Sequence, residues 1–403
     1  MHLLYFVQYF PPENASGLSL VTDMVEGFAE NGWKVDVYVP TPTRGVDDQT
    51  RRKYAKKRKE IKCNGNLVIH RMHLYREGKG MLQRTIRYTI FSIQCLLRGL
   101  FLPSDAVFTG AAPPTQGLVA GLIGKLTRKK VIYNPQDLFP DSLIVAEKAT
   151  EESRIVKIGR RIEKFAYKNV DTIITITEDM ANTIRSRVDE KSKVHVIRNW
   201  IDTDKISHVN REENSLFDEL GLVRDKFYVI YAGNLGMLQG IDVIVDAAEL
   251  LKEKKGIQFI IFGNGSEEEH IRGQIEEKKL DNIHMFPLQP IERVSEVYSM
   301  GDVCLVTCKK GTGAIGMPSK TWTIMATGTP IIASFDLGGE MEKTIKEADC
   351  GVCVEAGNAG ALAKAVHEIL NESSITYGAN ARRFVETKVS KGKAIEAYLK
   401  EFE

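Results

Sequence analysis

The ten residues Gly311-Thr312-Gly313-Ala314-Ile315-Gly316-Met317-Pro318-Ser319-Lys320 carry the most chemistry per unit length in this chain. Three glycines let the backbone approach a ligand closely and turn its N–H groups outward. An apolar run, Val303 to Thr307, precedes them and reads as a buried strand. Pro318 suits the first turn of a helix, where its missing N–H is not needed. Trp322, Ile324, Met325 and Ala326 fit a short packed helix, Gly328 stops it, and Ile331-Ile332-Ala333 begins another strand. Strand, glycine loop and a helix start bearing a mobile lysine make an anion site. The plainer alternative is a βαβ unit whose glycines only serve turns.

Three more loops repeat the pattern. Ser16 and Gly17 precede the helical run Leu18 to Asn31. Gly233 to Gly240, with Asn234, Gly236 and Gln239, precedes Ile241 to Lys254. Gly263 opens a turn before a charged helix. Carboxylates stand at two similar places. Asp137 follows the strand Val131 to Asn134, where its plain reading is a helix N-cap. Glu340 follows Gly338-Gly339, as a ligand contact or as a helix-start glutamate facing solvent.

The elements that must hold these loops alternate between strand and helix throughout, which predicts two doubly wound parallel α/β sheets. A length of 403 residues also exceeds one core. The polar stretch Asp202 to Asn214 reads as the linker. The expected division is residues 1–201 and residues 202–385, with a C-terminal helix at about 386–403 packing back on the first domain. Two loop-bearing edges facing each other would form a cleft rich in N–H groups and poor in carboxylate, suited to a nucleotide diphosphate.

The formal net charge of +2 argues neither for nor against nucleic acid. Charge is concentrated locally, in Arg51 to Lys59, which is either a solvated mobile segment or an attractor of anionic lipid or diphosphate. Met81 to Leu102 mixes Arg84, Arg87 and Arg98 with apolar residues and reads equally as an interfacial helix or a core helix. No apolar stretch is long enough to span a bilayer. The N-terminus lacks a basic leader and reads as a first core strand. Six cysteines suit a reducing compartment. Cys304, Cys308, Cys350 and Cys353 could be read as a zinc set, but they sit in β-type apolar runs that favour buried thiols. A nicotinamide enzyme is disfavoured, because no Gly-x-Gly-x-x-Gly follows the first strand.

Several motifs resemble the retaining GT-B glycosyltransferases of family 4. They are Phe10-Pro11-Pro12 with Gly17, Arg198-Asn199-Trp200-Ile201-Asp202, Gly233 to Gly240, and Met325-Ala326-Thr327-Gly328-Thr329-Pro330. Pro318-Ser319-Lys320-Thr321-Trp322 is similar to the subgroup of WbuB-type N-acetyl-L-fucosamine transferases. The resemblance implies a UDP-sugar donor, no metal or other cofactor, and a polyprenyl-diphosphate-linked glycan acceptor. It also implies a cytoplasmic enzyme, peripheral on the inner face of an anionic membrane, with no nucleic-acid partner. The donor-binding set it implies is Ser16, Gly17, Asn234, Gly236, Gln239, Gly263, Phe286, Leu288, Gly313, Ile315, Gly316, Met317, Pro318, Ser319, Thr323 and Glu340, with Lys320 and Asp137 catalytic. Phe286 to Leu288 would hold the base. Ile315 and Thr323 stand where the family carries two glutamates, and Asn234 and Gln239 where it carries arginine and lysine. Lys320 is the expected replacement for that charge. The rival readings are a UDP-sugar 2-epimerase and a non-catalytic nucleotide-sugar-binding protein.

Overall fold

A computed structural model describes residues 1–14, 17–78, 80–371 and 374–403. The chain forms two compact units, Met1–Arg198 with Gly392–Glu403, and Asn199–Lys391. The divisions fall three residues before the expected linker and several residues after the expected start of the returning helix. Packing explains both. Ile201 bridges to Ser390, and the Ile201 N–H donates to the Val389 carbonyl. Phe384, Val385 and Val389 share a core with Trp322, Met325 and Ala326. That side of the C-terminal region therefore belongs to the second unit.

The first unit is built on strands β1 (His2–Phe6), β2 (Lys34–Pro40), β3 (Lys59–Lys62), β4 (Leu67–Met72), β5 (Ala106–Gly110), β6 (Lys130–Asn134), β7 (Thr172–Thr175) and β8 (Val194–Val196). Their order in the sheet is β3-β4-β2-β1-β5-β6-β7-β8. All pairs are parallel except β3 with β4, which is antiparallel. The basic run expected to be solvated thus ends in an edge strand, after the helix Asp48–Lys56. Strand interiors such as Val107, Val131 and Ile173 are fully buried, as runs covered by helices on both faces must be. The helices Met81–Phe101, Gln116–Leu126 and Arg154–Asn169 cover one face, through Phe91, Val119, Ala120, Ile123 and Tyr167. The final helix, Lys391–Lys400, returns to this unit. Its Tyr398 lies edge-on to Phe108, and Phe402 packs against Trp33.

The second unit is a six-stranded parallel sheet of β9 (Phe227–Asn234), β10 (Ile257–Asn264), β11 (Ile283–Phe286), β12 (Val303–Thr307), β13 (Ile331–Phe335) and β14 (Gly351–Glu355). The order β11-β10-β9-β12-β13-β14 puts a switch in winding direction between β9 and β12. Those two strands pair only at Val303–Val229 and Cys304–Ile230, well short of their carboxyl ends. In open α/β sheets the carboxyl side of such a switch is where ligands sit.

Candidate functional site

Lys320 begins the helix Lys320–Ala326, and its side chain reaches the β9–β12 switch. The Nζ lies 3.8 Å from the centre of the Tyr231 ring. Tyr231 is fully buried, and its hydroxyl donates to the Asn234 carbonyl at 2.9 Å, which fixes the ring. Among the described residues Lys320 has no carboxylate and no hydrogen-bond acceptor. The residue keeps some exposure while its ammonium lies deep, and burial brings its pKa down to about 7. Gly233 makes the position possible. It holds φ of +146°, and a Cβ there would lie 2.6 Å from the Lys320 Nζ. The sequence suggested a mobile cation; the structure packs it on an aromatic face, worth about 2 kcal/mol when desolvated.

Other expected residues need correction. The Gly311 and Gly313 N–H groups donate to the two carboxylate oxygens of Asp336, at 2.9 and 2.8 Å. Gly313 therefore does not offer a free donor here, because an anion from the end of β13 already occupies it. The helix starts at Lys320, so Pro318 and Ser319 lie in the approach to it rather than in its first turn. Gly316 has an extended backbone. Met317 packs against the core that holds Trp322. Ile315 lies in a short turn, and its side chain is outside the described set, as is all of Ser16. The Asn234 Nδ2 donates to the Gln239 Oε1 at 3.1 Å, with Gly236 beneath both. Gly263 lies inside β10, paired with Gly233 of β9, rather than opening a turn, and a Cβ there would meet the Gly233 carbonyl at 2.6 Å. Phe286 packs on Phe262 at the end of β11, and Leu288 is exposed. Thr323 is half-buried one turn along from Lys320. Glu340 starts the helix Glu340–Ala348 and is buried rather than facing solvent.

In the first unit Asp137 stands at a narrow recess with about 10 Å³ of free volume, room for about one water. Tyr133, Tyr167, Glu163, Gly117 and Gly159 also line it. Desolvation by the recess walls and the negative charge of Asp141 raise the Asp137 pKa, and hydrogen bonds from Ser142 and the Leu138 N–H oppose the rise. The Tyr133 hydroxyl makes no hydrogen bond among the described residues. Behind Asp137, Arg160 and Arg187 each grip Asp141 with two N–H donors, at 2.7 to 2.9 Å. Glu163 is buried and accepts from Arg187 at 2.8 Å and from the Tyr167 hydroxyl at 3.1 Å. Burial pulls the Asp141 carboxyl up, and the two guanidinia overcome it, holding it well below the usual carboxylate range. Gly17 caps the helix Leu18–Glu30 at φ +76° with open space around it. Below that loop, buried Glu13 accepts from the Phe10, Thr43 and Arg44 N–H groups. Sequence reading missed Glu13, Tyr133, Asp336 and the Asp141 network. The run Asp137-Leu-Phe-Pro-Asp141, two carboxylates just past a strand, was the available signal.

Cys304, Cys308 and Cys350 are buried free thiols. Among the described residues no group of three His, Cys, Asp or Glu could hold a metal, and no helix is long and apolar enough to cross a membrane.

Known proteins share this fold. A model described as Glycosyltransferase Family 4 matches residues 19–205. A second, Glycosyl transferases group 1, matches residues 212–387. The chain belongs to the family 4 glycosyltransferases. Its architecture is GT-B, two parallel-sheet α/β units. A glycosyltransferase named WbjE from Pseudomonas aeruginosa is 26% identical over 73% of each chain. WcaI of Escherichia coli K12, named as a colanic acid biosynthesis glycosyl transferase, is 25% identical over 91% of each. Among solved folds, sucrose-phosphate synthase from Thermosynechococcus elongatus superposes with a TM-score of 0.74 at 18% identity, covering 99% of this chain and 97% of that one. HepE of Anabaena, solved with UDP, does so at 0.74 and 12% identity, covering 99% of both.

Proposed function

We infer that this glycosyltransferase moves a sugar from a UDP-sugar to a polyprenyl-diphosphate-linked glycan, retaining anomeric configuration and using no metal. The observation that carries the donor half is an ammonium at the β9–β12 switch with no counter-ion among the described residues. A diphosphate there supplies the missing charge. As the anomeric C–O bond to the diphosphate breaks, negative charge grows on the leaving oxygens, and a prepositioned Lys320 stabilises it. Asn234, Gln239 and the backbone from Gly316 to Ser319 are the neighbouring donors we assign to the same phosphates. Phe286 to Leu288 is our assignment for the base, and Glu340 and Thr323 for hydroxyl contacts. Ser16 and Gly17 remain assigned to the donor. Asp137 positions the acceptor hydroxyl, with Tyr133 beside it.

Support for the nucleotide comes from HepE, which has been solved with UDP and with UDP-glucose. Support for bacterial surface polysaccharide comes from the names of WcaI and of CapM, a capsular polysaccharide biosynthesis glycosyltransferase of Staphylococcus aureus that is 21% identical over 57% of this chain and 60% of CapM. An N-acetylated amino or deoxyamino sugar, an O-antigen or capsule product and the WbuB-type subgroup follow from the Pro318-Ser319-Lys320 motif alone. Place of work on this reading is the cytoplasmic face of the membrane. The test is a panel of UDP-sugars, each with and without a lipid diphosphate glycan. UDP release that requires the acceptor supports transfer, free epimer without acceptor supports the epimerase, and tight UDP binding without turnover supports a sensor.

A further inference from the structure

The helix layer over one face of the first sheet has an outer surface unlike the rest of the molecule. On the Met81–Phe101 helix, Leu82, Ile86, Ile93, Leu97 and Phe101 recur at helical spacing, and all are exposed, from 46% at Ile86 to 77% at Phe101. Their inner counterparts, Phe91 and Cys95, are buried in the core beneath. This helix is therefore apolar on both faces and charged mainly at its ends. The Gln116–Leu126 helix lies against it, with Gly99 facing Ile123. The same helix lies flush on Arg154–Asn169, because a Cβ at Gly124 would sit 1.9 Å from the Asn169 carbonyl. The apolar surface continues across that layer in Leu118 and Leu126, then in Ile155 and Ile158.

Charge identifies the occupant. Exposed Arg84, Lys125, Arg154, Arg161 and Lys164 stand among these side chains. The one acidic residue in the three helices, Glu163, is buried and paired with Arg187. Exposed Glu151 and Glu152, just before the third helix, are paired with Arg160 and Lys157, and apolar side chains with cations in clear excess match a lipid headgroup layer that is itself negative. Protein-binding patches are depleted of lysine, and Lys125 and Lys164 stand exposed on this one.

We propose that the outer face of these three helices docks on an anionic bilayer, with the Met81–Phe101 stripe entering the headgroup region. This rests on the lipid-linked acceptor reading above. Transfer to a short-chain, water-soluble lipid diphosphate tests that reading separately. The direct test is flotation of the full chain with phosphatidylcholine vesicles, with and without phosphatidylglycerol. Wild type floats with the anionic vesicles. Ile93→Glu/Leu97→Glu/Phe101→Glu lowers the partition at least about a hundredfold, since three buried side chains are exchanged for charges. Val223→Glu/Leu250→Glu, exposed apolar positions in the second unit, leaves it unchanged. Arg154→Gln/Arg161→Gln/Lys164→Gln, which leaves the apolar stripe intact, removes the preference for phosphatidylglycerol. Circular dichroism confirms that each variant is folded. Failure of wild type to float, flotation indifferent to the triple glutamate variant, or a wild-type dimer that this variant dissolves without any vesicle binding each overturns the proposal.

Discussion

The two sheets manage positive charge at their carboxyl edges in opposite ways. In the first, Arg160 and Arg187 are clamped on Asp141 with every short contact satisfied, and Glu163 completes the set. In the second, Lys320 lies on the face of a tyrosine, with no carboxylate among the described residues. A paired, half-buried network is structural cement, since removing Arg187 takes a partner from the buried Glu163. An ammonium left without its anion costs stability, and such groups collect at functional sites. The difference separates groups that hold the fold from the group that waits for a ligand.

The largest effect should come from the unpaired charge. Lys320→Ala is expected to lower turnover by about 10²–10³-fold while thermal midpoint holds or rises, as steady-state kinetics and calorimetry would show. Arg187→Ala should do the reverse. It should lose about 3–5 kcal/mol of stability in denaturant titration, with UDP affinity unchanged in the folded fraction. If both variants lose activity at full stability, the contrast between the sheets is wrong. Asp137→Asn keeps the recess and removes the charge. We expect turnover down about 10–10²-fold with UDP binding intact, read as a fall in kcat at constant donor affinity. Gly233→Ala forces a side chain at φ +146° and against the Lys320 Nζ. It should cost about 1–3 kcal/mol and weaken UDP binding by moving the ammonium. A further effect is on pH. The folded pKa of Lys320, about 7, lies below the unfolded value. Between them the unfolded chain binds more protons, so this group's contribution to stability improves as pH rises from about 7 toward 10. Lys320→Ala should flatten that part of the profile.

Much of the fold was legible because buried parallel strands are nearly continuous apolar runs. Leu67 to Met72 and Val303 to Thr307 coincide with β4 and β12. Strand β3, Lys59–Lys62, escaped notice because an edge strand of lysine and glutamate carries no such run. The glycine loops were legible as loops, but their partners were not. Asp336 reaches Gly313 from 23 residues away, and no local spacing signals that. Asp141, Arg160 and Arg187 likewise converge from three separate elements. Burial of Lys320 depended on the stopped pairing between β9 and β12, which is a property of topology rather than of any motif.

The most direct measurement is a calorimetric titration of UDP into wild type and Lys320→Met at about pH 8, in two buffers of different ionisation heat. Wild type should take up part of a proton per UDP bound, as the diphosphate recharges the ammonium, and Lys320→Met should take up none and bind about 10–100-fold more weakly. Equal affinity in the two proteins, with no proton uptake in either, would contradict a diphosphate at Lys320.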